Sequence, residues 1–390
     1  MMQRRRRHAT FLAMACLNIL AATAQTEVPF LKEQAAILAA PGMYGRGYVN
    51  GGGDKAARYI SDQFREIGLK TFRNANGYYQ PYTFPVNTFP GIVSLRIGHK
   101  KLKPGKDFLV HAASGSVTIR NEKLVTIDLA GIKDTITWQS VRKRFIPGGA
   151  YLLTNIDTLV KYENLSNRKL ASLFPNSGVF ILPTHKKLTW LATTDTVGAT
   201  IFFVADSVLP EKSQRVSAKV QSRFVPAFPT QNILGFVPGT QQPDSFIVFS
   251  AHYDHLGMMG RKAIFPGASD NASGVAVLLS LARYYTAHPA SYSIAFMSFS
   301  GEEAGLIGSG YYVTSPVFPL KKIRFLVNLD IAGDATRGIT VVNGSAPETA
   351  GEYALLEKIN RQNDYLPSIT ARGQAKNSDH YQFSEKGVPA

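Results

Sequence analysis

Three apolar runs in the second half of this 390-residue chain each lead directly into metal-ligating side chains. Phe246-Ile247-Val248-Phe249-Ser250 leads into His252-Tyr253-Asp254. Ser293 to Phe299 leads into Gly301-Glu302-Glu303, and the run from Ile323 ends in Asn328-Leu329-Asp330. Asp270-Asn271-Ala272-Ser273-Gly274 opens a predicted helix after the first run, and Ser378-Asp379-His380 lies in a polar loop near the end. Singly, each reads as something ordinary: a surface His-x-Asp pair, two acids favoured by a helix dipole, a helix cap, a turn. Their recurrence at strand ends carries the functional reading, because open α/β sheets bind ligands at the carboxyl ends of their strands. Imidazole plus carboxylate without thiolate suits zinc, with cobalt or manganese as substitutes.

Residue types also suggest roles. Two neighbouring ions need a bridging carboxylate and terminal ligands on each. Asp270 is the expected bridge, His252 and Asp330 the ligands of one ion, Glu303 and His380 those of the other. Asp254 follows His252 by two residues, so an extended chain turns both to the same side. It is expected to hold the imidazole in place. Glu302 is left as the general base that takes a proton from a water activated by the two metals. His255 adjoins the group and receives no role.

The elements that must position these residues alternate. Beyond residue 226, predicted strands interleave with helices over Val275 to Tyr285, Gly305 to Val313 and Glu352 to Asn363, which argues an α/β sandwich of three layers with a largely parallel central sheet. Asp54 to Gly68 has helical apolar spacing, and Gly68 suits the stop. The preceding Gly51-Gly52-Gly53 lacks the Lys-Ser/Thr of a phosphate loop. Short β-type runs between turn signals, such as Leu124 to Ile127 and Thr200 to Val204, mark residues 111–225 as a small β-rich insert without chemistry of its own. The expected divisions are 1–24, 25–110, 111–225 and 226–390.

Residues 1–24 read as a signal peptide. Arg4 to Arg7 form a positive region, Ala9 to Ala24 an uncharged apolar run, and Ala22-Thr23-Ala24 a cleavage pattern before Gln25. The run is shorter than the ~20 residues of a spanning helix, so export to periplasm or exterior is expected, with no membrane anchor after cleavage. Cys16 is the only cysteine and leaves with this segment, which excludes disulfides, thiol catalysis and thiolate ligands from the mature chain. The formal charge of +16, four of it from Arg4 to Arg7, is scattered and accompanied by no nucleic-acid motif, so no nucleic-acid partner is expected. Hydrophobic residues at 45% and charged residues at 18% are ordinary for a globular protein.

Ser250 to Gly257, Gly267 to Gly274, Ser300 to Glu303, Asn328 to Asp330 and Ser378 to His380 together resemble the di-zinc aminopeptidases, in a family that also includes glutamate carboxypeptidase-like enzymes and glutaminyl cyclases. The resemblance covers about residue 226 to the end. Tyr44-Gly45-Arg46 through Gly68-Leu69 also looks like the family's N-terminal helix, and the β-rich insert looks like its protease-associated domain. The resemblance implies a zinc exopeptidase with two zinc ions acting on peptide N-termini. Ile331 and Asp334 depart from the family's usual Met and basic or amide residue. The chain stops at Gly387-Val388-Pro389-Ala390, where relatives continue, so a truncated C-terminus is expected. A carboxypeptidase or dipeptidase on the same site, and a non-catalytic peptide-binding protein, are the competing readings. Glutaminyl cyclase is disfavoured because it uses one zinc.

Overall fold

The computed structural model describes residues 27–132, 134–158, 173–210, 214–334 and 336–390; the expected leader at 1–24 lies outside the described residues. Two large sheets organise the described residues, beside two small two-stranded ones. The sheet that matters for the site has five strands: β1 (Tyr79–Thr88), β2 (Arg223–Val237), β3 (Gln242–His252), β4 (Tyr292–Phe299) and β5 (Ile323–Asn328), in the spatial order β1-β2-β4-β3-β5.

The sheet is mixed rather than largely parallel. β4, β3 and β5 run parallel, while β1 pairs antiparallel with β2, and β2 with β4. Connectivity gives the reason. The chain leaves β1 at Thr88, builds the second sheet, and returns at Arg223, which pairs with Thr88. The two ends of a long excursion thus close as an antiparallel pair. The three parallel strands are those joined by crossovers, as parallel pairing requires.

β4 is buried along nearly its whole length, so it must be covered on both faces. The period of two divides its side chains. Ile294 and Phe296 pack in one cluster with Ile60 and Phe64 of α1 (Gly52–Ile67) and Leu278 and Leu279 of α2 (Ser273–Ala287). Ala295, Met297 and Phe299 pack in another with Tyr312 and Val313 of α3 (Ile307–Thr314) and Phe383 of α4 (His380–Ser384). α1 ends where the sequence places its stop: Gly68 is left-handed at φ 90° and its N–H bonds the carbonyls of Phe64 and Arg65. Among the described residues no helix is long and apolar enough to cross a membrane.

The second sheet has eight strands, from Val93–Ile97 to Arg215–Val220. It therefore takes in Val93–Ile97, Lys100–Leu102 and Phe108–Val110, which the sequence reading left with the preceding region. Alternation again supplies two cores, with Val179 and Ile181 on one face and Phe180 and Leu182 on the other.

α3 approaches the sheet through Gly308. A Cβ there would lie 2.3 Å from the Ser300 carbonyl oxygen and 2.5 Å from Asn232 Oδ1. Gly308→Ala is expected to destabilise the fold by about 1–3 kcal/mol through overpacking. Urea unfolding reads this directly, and an unchanged midpoint would contradict the close approach.

Candidate metal centre

The strand ends converge as their order demands. β3 and β4 are adjacent, so His252 at the end of β3 pairs with Phe299 at the end of β4, close to Gly301-Glu302-Glu303. β5 lies on the other side of β3 and delivers Asp330 just beyond its last residue. Two overlapping ligand groups result. His252, Asp270 and Asp330 form one; His255, Asp270 and Glu303 form the other. Asp270 belongs to both. His252 Nε2 stands 3.3 Å from Asp270 Oδ1 and 3.5 Å from Asp330 Oδ1. His255 Nδ1 stands 2.5 Å from Glu303 Oε1.

Buried amides and carboxyls hold these groups in place. Asp254, 1% exposed, accepts the backbone N–H groups of Glu302 at 3.1 Å and Glu303 at 3.4 Å and the Tyr48 hydroxyl at 2.8 Å. Its Oδ1 is 3.7 Å from His252 Nδ1. Asp254 thus joins the end of β3 to the turn after β4. Asn271 joins the Asp270 loop to the turn after β5: its Nδ2 donates to the Leu329 carbonyl, and its Oδ1 accepts from the N–H groups of Gly274 and Ile331. Asn328 accepts from the Ser250 hydroxyl and donates to that of Ser378, reaching the C-terminal turn. Glu302 itself lies in a turn, and the helix after it begins only at Ile307.

The electrostatics call for a cation. Burial alone would depress the His252 pKa, yet contacts with Asp254, Asp270 and Asp330 hold it well above its usual range. Burial drives Glu302 up to about 9, opposed by His252 and reinforced by Asp379, Asp254 and Glu303. Burial likewise raises Glu303, against the pull of His255, and raises Asp379 to about 7. Asp330 Oδ1 is buried without a hydrogen-bond partner. An acid cluster that must hold protons, beside an unpartnered carboxylate oxygen, fits a site made for divalent cations.

Residues 232–390 match the model of Peptidase family M28. The match covers the C-terminal part of the chain, somewhat under half of its length. Over 291 residues the chain is 25% identical to Aminopeptidase YwaD of Bacillus subtilis, covering 73% of this chain and 61% of that protein. A stretch of 114 residues is 34% identical to a probable zinc metalloprotease of Pyricularia oryzae, or 28% of this chain and 23% of that one. The chain thus spans about three-fifths or less of the length of these curated relatives. Among solved structures, BSAP, a zinc aminopeptidase from Bacillus subtilis, aligns with a TM-score of 0.66 at 20% identity over 93% of this chain and 83% of that one. An aminopeptidase from Aneurinibacillus sp. strain AM-1 aligns over the same shares with a TM-score of 0.58 at 20% identity. At these identities the structural likeness shows the fold.

Within the M28 segment the geometry brings together His252, Asp254, Asp270, Glu303 and Asp330 of the expected site, with Glu302 beside them. His380 is buried nearby, but its Nε2 lies 3.1 Å from the Ala375 carbonyl oxygen, and it joins neither ligand group. Burial lowers its pKa, with the Ala375 carbonyl and Asp330 opposing. His255, given no role from sequence, fills the place in the second group. Its signal was its position directly after His252-Tyr253-Asp254. Tyr48 lies outside the M28 segment, 206 residues from Asp254, and nothing in the sequence connects the two. A small pocket is lined by Tyr48, Leu256, Met258, Ala112, Trp190 and Ala192, and Tyr48, which bonds Asp254, is the residue it shares with the surroundings of the site.

The raised acids set a pH dependence. Between its ordinary value of 4.5 and about 9, Glu302 of the metal-free folded chain keeps a proton that the unfolded chain has released. Asp379 behaves likewise between 3.8 and about 7. The folded state binds more protons, so stability falls as pH rises through this window. Chelator-treated protein is expected to melt at progressively lower temperature from about pH 5 to about pH 9, and saturating zinc to flatten the trend. A metal-free melting temperature that rises with pH would contradict this electrostatic account.

Proposed function

We propose that this chain is a zinc-dependent exopeptidase that removes residues from peptide N-termini. The observation that carries the reading is the pair of ligand groups sharing Asp270, with Glu302 beside them and outside both. The names of the relatives, aminopeptidase and zinc metalloprotease, agree with it. Two zinc ions per chain are the proposed complement, with His252 and Asp330 on one, Glu303 and an imidazole on the other, and Asp270 common to both. Bound zinc polarises a scissile carbonyl and makes an attacking water more acidic. Glu302 takes the proton from that water and delivers it to the leaving amine. Asp254 orients His252 and the Glu302-Glu303 backbone, and Tyr48 orients Asp254.

The choice of the N-terminus rests on charge. Asp254 and Asp330 border the site as acids, which favours an α-ammonium group over an α-carboxylate. The buried guanidinium of Arg46 has its donors committed to backbone carbonyls, so it offers no clamp for a substrate carboxylate. Turnover of aminoacyl chromogenic amides without turnover of N-blocked substrates is the expected pattern; the reverse would establish the carboxypeptidase reading, and no turnover at all by metal-loaded protein the binding-protein reading. The fold is read as a three-layer sandwich interrupted by a protease-associated-like insert, the eight-stranded sheet.

One panel of variants tests the roles. Glu302→Gln is expected to keep two metals per chain and lose at least ~10²–10⁴-fold in turnover, the usual contribution of a general base. Glu303→Gln is expected to lose metal. His255→Asn should lose one metal equivalent and His380→Asn neither, as the geometry arranges them; the opposite result would return the second imidazole to His380. Near-normal turnover in Glu302→Gln would sink the mechanism. Export is proposed from the leader alone. N-terminal sequencing of secreted protein is expected to begin at Gln25, and a start at Met1 would refute cleavage.

A further inference from the structure

Arg46 is fully buried and makes no contact with a carboxylate through any of its hydrogen bonds. Its guanidinium instead donates to backbone carbonyls from separate parts of the chain. Nε bonds Tyr253 at 2.8 Å; Nη1 bonds Leu38 at 2.9 Å and Pro266 at 2.7 Å; Nη2 bonds Gly267 at 2.7 Å and reaches Asp270 at 3.5 Å. Its own carbonyl accepts the N–H of His255 at 3.3 Å. A buried cation spent on neutral acceptors is costly unless something else needs it. Besides Leu38, the partners are the two segments that carry the proposed metal ligands: Tyr253 follows His252, and the stretch 266–270 ends at the shared carboxylate.

The turn that presents Arg46 is shaped for this contact. Tyr44, Gly45 and Arg46 are successively left-handed, at φ 48°, 64° and 49°. Two of the three carry side chains, and such residues persist only where the surroundings hold them. A Cβ on Gly45 would lie 2.3 Å from the Phe265 carbonyl oxygen, and one on Gly47 2.4 Å from Gly257 Cα. The turn is therefore backed directly against the hairpin of Gly257–Met259 and Ala263–Phe265, which links His255 to the Asp270 loop. Burial lowers the Arg46 pKa to about 10, against the attraction of Asp254, Asp270 and Glu303, so it stays charged at neutral pH.

We propose that Arg46 is a positioning residue for the metal centre. Its guanidinium clamps the backbone at Tyr253 to the backbone at Pro266–Asp270, and so sets the spacing of His252 from Asp270. This rests on the metal-centre reading above. Lysine cannot replace it, because a single ammonium has three donors on one atom where the flat guanidinium spreads five along a fork.

The test separates a clamp from ordinary core packing. Cobalt affinity by chelator competition and the cobalt absorption spectrum are measured for wild type, Arg46→Lys and, as a packing control, Phe64→Ala, which loses a fully buried ring of α1. Wild type is expected to take up cobalt. Arg46→Lys should bind at least tenfold more weakly with an altered spectrum, whereas folded Phe64→Ala keeps affinity and spectrum despite its lower melting temperature. Folded Arg46→Lys with wild-type affinity and spectrum overturns the proposal. If Arg46→Lys does not fold, Arg46→Ala refolded with methylguanidinium decides: restored cobalt binding supports the clamp, and no restoration overturns it. Wild type that takes up no cobalt would instead sink the metal-centre reading itself.

Discussion

The constraint on which this structure turns is the confinement of many carboxylates in one dry corner of the sheet. Asp254, Asp270, Glu302, Glu303, Asp330 and Asp379 lie within mutual electrostatic reach and are partly or wholly buried. Like charges out of water repel strongly and lose hydration. The protein answers with hydrogen bonds where a carboxylate has a structural task, as at Asp254. It answers with imidazoles where exchange for a cation is useful, as at His252 and His255. Asp330 Oδ1 receives no hydrogen bond and shares the imidazole of His252 with Asp270 and Asp254. The remaining imbalance is what divalent cations would relieve, and the same imbalance leaves Glu302 holding a proton in the metal-free chain.

The scaffold follows from that need. Ligands must be held within fractions of an ångström, and strand ends in a packed sheet are stiffer than loops. The order β2-β4-β3-β5 places the ends of three consecutive parallel strands side by side. Two asparagines and one aspartate then stitch the turns beyond those ends. Asp254 and Asn271 are buried, Asn328 is half-buried, and each has its polar atoms used. Such networks specify one geometry because any slip leaves a buried group unpaired.

The turn carrying Arg46 and Tyr48 takes part in the site although it lies outside the M28 segment. The turn at Tyr44–Tyr48 reaches Asp254 through one hydroxyl and the Tyr253 and Pro266–Asp270 backbones through one guanidinium. The excursion between β1 and β2 contributes Ala112, Trp190 and Ala192 to the pocket that Tyr48 also lines. The candidate site residues of the segment are thus braced by a turn far from them in sequence.

The sequence by itself determined which residue types stand at which strand ends. Apolar runs of strand length followed at once by His, Glu or Asp survive translation into structure because strands are local and β4 and β3 must be apolar on both faces. The order of pairing was not local. β4 inserts between β2 and β3 although it comes later in the chain, and β1 pairs across an excursion of more than a hundred residues. Only the tertiary structure decided which imidazole meets Glu303. His255 and His380 have equal chemistry, and their difference is a matter of where each ring is packed and what its second nitrogen bonds. The contacts of Arg46 and Tyr48 could not be read from the sequence for the same reason. An arginine among glycines and a tyrosine beside it show nothing of the carbonyls and the carboxylate, some two hundred residues away, that their donors will find once the chain is folded.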